Sequence, residues 1–144
     1  MTSALEVAKY IVKESIQRNS PVSNLKLQKL LYFVQGSSLV INKERAFEED
    51  IIAWKYGPVV ECVYYAYAMY GANDIIPPFD VKINLETNLQ SIIDFVLENL
   101  LPISAIDLVN ETHLPGSPWA EVQQNKIIPV ESIENYFLEH YIKG

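Results

Sequence analysis

By residue type, Cys62, His113 and His140 are the best-suited side chains of this chain for covalent or acid-base chemistry. A thiol becomes a working nucleophile when a base sits beside it and a third group orients that base. Cys62 falls in a helical pattern without a glycine-rich turn, and both histidines lie far from it in sequence. A lone cysteine on a helix reads as a small, buried hydrophobe. His113 follows Thr112 at the end of a short helical segment, where a donor can satisfy free carbonyls, and His140 falls on the docking face of the last helix. No Cys, His or carboxylate positions show a ligand spacing such as His-x-x-x-His or Cys-x-x-Cys. The reading is therefore no catalytic residue, no metal and no cofactor.

WKYGPVV, Trp54 to Val60, is the other stretch that invites a chemical reading. A phosphate loop needs several glycines so that successive backbone donors converge on the anion, whereas this stretch has one glycine and loses a donor at Pro58. It reads as a tight strand-to-helix corner, with Pro58 at the first helical position and the large rings of Trp54 and Tyr56 bracketing it.

The elements that position these residues follow from periodicity. Leu5, Ala8, Ile11, Val12 and Ile16 recur at helical spacing over 4–19, with Thr2 or Ser3 as cap and Pro21 as terminator. Ser23 caps a second helix that reaches about Asn42. Leu27, Leu30, Leu31, Val34 and Ile41 share one face of it, and Tyr32, Phe33, Leu39 and Val40 fill much of the rest, so it is central and buried. Gln28 and Gln35, with Asn24 and Asn42 near them in angle, leave a narrow polar stripe, and Gly36 admits a close backbone approach. IIAWKY is extended, a third helix runs to Tyr70 and stops at Gly71, and 81–83 reads as a short strand. Helical spacing returns from Leu89 to Leu100, from a Ser104 cap to about Glu111, and after Pro129, where Ile133, Tyr136, Phe137, His140 and Tyr141 share a side.

Length and composition bound the answer. With 144 residues, 49% of them apolar, the chain can fill one core, and 1–144 reads as a single domain. The single cysteine excludes an internal disulfide, and no run approaches the ~18 apolar residues of a spanning helix, so the expectation is a cytoplasmic protein without membrane contact. Residues 1–82 carry 9 Lys/Arg against 9 Asp/Glu, and residues 83–144 carry 2 against 9, so the second part holds the whole net charge of -7. Direct nucleic-acid binding is excluded for want of a basic face. The acidic half either solvates helix exteriors or steers a basic protein partner.

The third helix carries the anomaly. Val59, Cys62, Val63, Ala66, Tyr67 and Tyr70 make one apolar face, yet Tyr64, Tyr65 and Ala68 lie opposite, with Met69 nearby. Either the helix is sandwiched inside the fold or that second face binds a protein.

LKLQKLLYFVQG at 25–36, WKYGPVV at 54–60, TH at 112–113, PW at 118–119 and I…YF at 133–137 resemble, in order and spacing, the Panacea domain of SocA-like bacterial and phage antitoxins, also labelled phage-associated GepA-like proteins. The motif positions are Lys26, Leu27, Gln28, Lys29, Leu30, Leu31, Tyr32, Gln35, Gly36, Gly57, Pro58, Val59, Thr112, His113, Pro118 and Trp119, read as structural. Ser37 and Ser38 stand where the family often has aromatic or imidazole residues. The resemblance implies a mainly helical domain that neutralises a cognate protein toxin by direct contact, without catalysis; some members deliver the toxin to a protease.

Together these give a mainly α, single-domain fold with a buried central helix and one or two short strands. Its partner-binding surface is expected at Trp54, Tyr56, Tyr64, Tyr65, Ala68 and Met69. The alternatives are an enzyme with a pocket near Tyr32, Tyr56 and His113, and a phage regulatory protein. The sequence leaves open a homo-oligomer, the identity of the toxin, and the choice between occlusion and delivery to a cytoplasmic protease.

Overall fold

An 18-residue helix that is apolar nearly all round has to be surrounded, and the rest of the chain does this. The structure, a computed structural model, describes residues 2–78, 80 and 82–142. Its elements are α1 (Ala4–Gln17), α2 (Asn24–Ile41), β1 (Ile52–Trp54), β2 (Gly57–Val59), α3 (Glu61–Ala66), a 3-10 turn (Ala68–Tyr70), α4 (Thr87–Leu100), α5 (Ala105–Thr112) and α6 (Val130–His140). α2 packs against α1, α4, α5, α6 and β2, and every residue from Leu27 to Val40 is buried. Ile41, placed on the core face by angle, falls on the last turn and is 47% exposed.

The helix starts follow their caps. Ser3 and Glu6 form a reciprocal capping box on α1, Ser23 accepts from the Lys26 amide, and Ser104 accepts from the Asp107 amide. Gly36 meets Phe137 of α6 so closely that a Cβ there would lie 2.4 Å from the ring. Tyr32, Phe33 and Phe137 then pack with ring centroids 5.3 to 5.6 Å apart, joining α2 to α6.

The corner at Gly57-Pro58 differs from the expected helix start. β1 and β2 form an antiparallel hairpin with Trp54 opposite Gly57, and Lys55-Tyr56 is its turn. Pro58 therefore lies on a strand, and α3 begins only at Glu61. Proline is tolerated because it sits on the sheet side away from a ladder bond, paired with Ala53 on a two-stranded edge. β1 is covered on its other side by 125–128: Ala53 donates to the Lys126 carbonyl at 3.0 Å and Ile128 donates to the Ile51 carbonyl at 2.8 Å. The third helix is also shorter than its pattern, with six α-helical residues followed by the 3-10 turn that Gly71 ends at φ 57. Of the expected strand at 81–83, Val81 lies outside the described residues, and Lys82 and Ile83 belong to no strand.

Candidate functional site

The motif positions converge on the hairpin. In α2, Gln28 accepts from the Val60 amide at 2.9 Å and donates to Asn24 at 3.0 Å, and Asn24 donates to the Tyr64 carbonyl at 3.0 Å. Two turns further along the helix, Gln35 accepts from the Ala46 amide at 2.7 Å and donates to the Phe47 carbonyl at 2.9 Å. The polar stripe of α2 is thus a set of staples that satisfy loop backbone groups inside the core.

Lys29 lies between them. Its side chain has no solvent exposure, and its Nζ donates to the Pro58 carbonyl at 3.0 Å. Burial pulls the amine down from 10.5 to about 7. Gly57 has φ +112, and a Cβ there would stand 2.7 Å from Lys29 Cε and 2.9 Å from Thr112 Oγ1. This glycine is therefore required twice, for the backbone conformation and for the lysine's room.

The TH and PW motifs close the same knot. Thr112 Oγ1 donates to the Val109 carbonyl at 2.8 Å, and Ser117 Oγ donates to the Thr112 carbonyl at 2.8 Å. Pro118 is buried beside Ser117, and Trp119 donates its indole N–H to the Trp54 carbonyl at 2.7 Å. The His113 ring stacks on Trp119 at 3.8 Å and 7°, and its Nε2 is shielded without a hydrogen-bond partner. Desolvation, and then the Lys29 charge, hold its pKa below the usual histidine value. These contacts join α2, the hairpin and α5.

An aromatic surface borders this knot, and Asn24, Gln28 and Lys29 line the same groove as its rings. Trp54 packs edge-on against Tyr64 at 4.9 Å and Tyr65 at 6.1 Å, and the two tyrosines meet at 5.6 Å. Tyr65 is 65% exposed and Tyr56 60%, with Lys55 Nζ 5.5 Å from the Tyr56 ring. Thus the second face of the third helix is on the surface, not sandwiched. Trp54, Tyr56, Tyr64 and Ala68 share one open groove of about 540 Å³. Met69, 82% exposed, is not among them: it lines a neighbouring groove against Lys9 and Lys13 of α1. Leu25 of α2 and, across from it, Gln124 and Asn125 also line the groove; nothing in the residue types of Gln124 and Asn125 marks them, and they arrive through the 125–128 pairing.

The residues that could do chemistry stay apart. Cys62, expected to be buried, is exposed at the start of the short α3. His140 is exposed and stacks on Tyr136 at 4.0 Å, while the docking face of α6 is Ile133, Tyr136 and Phe137. Tyr32 is sealed in the core, so of Tyr32, Tyr56 and His113 only Tyr56 lines the aromatic groove. Among the described residues no three His, Cys, Asp or Glu side chains gather as metal ligands, and no helix is long and apolar enough to cross a membrane.

The model of the SocA-like antitoxin family, Panacea domain, matches residues 27–120. The chain belongs to that family. Antitoxin SocA of Caulobacter vibrioides (strain NA1000 / CB15N) is 31% identical over 127 residues, covering 81% of this chain and 68% of that protein. No solved structure matches. The matched Panacea segment runs from the first turn of α2 to just past Trp119, so it contains Lys29, the hairpin, the aromatic surface and the TH and PW contacts, and it leaves α1 and α6 outside. Membership supports an antitoxin role and a toxin as partner.

Proposed function

We propose that this chain neutralises a protein toxin by binding it directly, and that the toxin seats on the surface of Trp54, Tyr56, Tyr64, Tyr65 and Ala68, with Met69 at its margin. The observation that carries this reading is the mutually packed cluster in which half-buried Trp54 and Tyr64 line an open groove and the exposed ring of Tyr65 stands beside them. Large rings that are pre-packed against one another lose little freedom on binding, and aromatic residues are enriched in the energetic centre of interfaces. Their support is rigid: Trp54 is tied through its carbonyl to Trp119, and the Tyr64 carbonyl is tied to Asn24.

Neutralisation takes one of two routes, occlusion of the toxin or its delivery to a cytoplasmic protease. Co-expression with the small toxic protein encoded by a neighbouring reading frame tests the proposal. The expected result is restored growth and a stoichiometric co-purified complex, with an unchanged toxin half-life under occlusion and a shortened one under delivery. Rescue that persists without any complex between the two purified proteins would defeat direct binding.

A further inference from the structure

A second surface lies on the acidic half of the molecule and shares no lining residue with the aromatic groove. It is an open groove of about 510 Å³ between α4, α5 and the end of α6. Its floor is Phe33 of α2 and Phe137 of α6, and its walls are Phe95 and Leu100 on one side and Ile103 and Tyr141 on the others. Phe95 is 47% exposed, Ile103 37% and Tyr141 36%. Large apolar side chains left together in solvent mark a surface that another molecule covers.

Charge decides what covers it. Asp107 and Glu111 line the groove, and the Tyr141 hydroxyl donates to Glu111, which holds that ring as a wall. Residues 83–144 carry 9 acidic against 2 basic side chains, so the surrounding field is negative. A second copy of this chain, with a net charge of -7, would bring like charge to it. An apolar segment flanked by lysine or arginine meets both features. Three helical walls around an open trough suit a helix laid lengthwise, with anchors at i, i+3, i+4 and i+7.

We infer that the groove between α4, α5 and α6 is a docking site for a cationic amphipathic helix of a partner protein. It is independent of the toxin surface, and its test uses no toxin. The probe is a synthetic amphipathic helical peptide with leucines at i, i+3, i+4 and i+7 and lysines flanking them, compared with the same peptide carrying glutamates, by fluorescence anisotropy on the full chain. The lysine peptide is expected to bind at least about tenfold more tightly than the glutamate peptide and to weaken as salt rises. Phe95→Asp should reduce its affinity by about tenfold or more, and Asp107→Asn by a few-fold with a shallower salt dependence. Because Phe95 and Asp107 are both exposed, their melting should stay near that of the parent; if Phe95→Asp melts early, the Asp107→Asn salt dependence carries the decision. Equal binding of both peptides, no binding up to ~1 mM, or a self-dimer that Phe95→Asp dissociates would overturn the inference.

Discussion

Lys29→Met should abolish a rise in stability with pH that the parent protein shows. Lys29 is fully enclosed and its amine is pulled from 10.5 to about 7 by burial. The unfolded chain keeps this proton up to its ordinary value, whereas the native chain releases it near neutrality, so between these limits the unfolded state binds more protons and native stability increases with pH. At ~1.36 kcal/mol per pH unit, and allowing for partial protonation of the native amine near its midpoint, raising the pH from about 7 to about 9 stabilises the fold by about 2 kcal/mol. Below about pH 7 both states hold the proton, and the native state carries the full penalty of the buried charge. Methionine fills a similar volume and does not titrate. Its absolute effect is the sum of a removed charge penalty and a lost hydrogen bond to Pro58, so the slope, not the height, is the readout. Urea unfolding of both proteins across this pH range measures it, and subtracting one from the other cancels the titrating groups that the Lys29 charge does not perturb. Parallel curves would refute the argument that an enclosed amine stands behind the hairpin.

Other outcomes follow from the same contacts. In Lys29→Met, His113 should titrate at higher pH than in the parent, because the lysine charge is one of the two causes that lower it; imidazole NMR reads this directly. Gly57→Val should cost ~1 to 3 kcal/mol or more in a thermal melt, since a positive φ and the Lys29 stem both oppose a side chain. Gln35→Leu should cost about 2 to 3 kcal/mol in urea, because the Ala46 amide and the Phe47 carbonyl lose their buried partner.

The helical frame was legible because its signals are local. The all-round apolar pattern of α2 predicts a surrounded helix, the serine caps mark the starts of α1, α2 and α5, and Gly36 marks a close approach, although the Phe137 ring makes it and not the expected backbone. What failed depends on contacts distant in sequence. Pro58 suits a helix start by local rules, but pairing of β1 with both β2 and 125–128 draws it into a strand. Cys62 sits on the apolar arc of an ideal helix, yet Val59, Val63 and Tyr67 are the members of that arc that reach the core, and Cys62 is left exposed on the first turn of α3. The aromatic surface was half legible: the clash of two faces on the third helix pointed to Tyr64 and Tyr65, while its exposure and its far wall at Gln124 and Asn125 come from tertiary packing. Lys29 belonged to a recognisable motif, but its enclosure under Gly57 required the hairpin's position.

Toxin affinity measured on Tyr65→Ala and on Tyr64→Ala with Tyr65→Ala, with melting recorded on the same samples, addresses the central claim most directly. Tyr65 is 65% exposed, so its single variant should melt within about 1 kcal/mol of the parent. If the cluster with Trp54 is the toxin's seat, the double variant should weaken binding by about 1 to 4 kcal/mol, roughly five-fold to several hundred-fold in Kd, among molecules that remain folded. Unchanged affinity in folded double-variant protein would contradict the account, and the toxin would have to bind elsewhere on the Panacea domain.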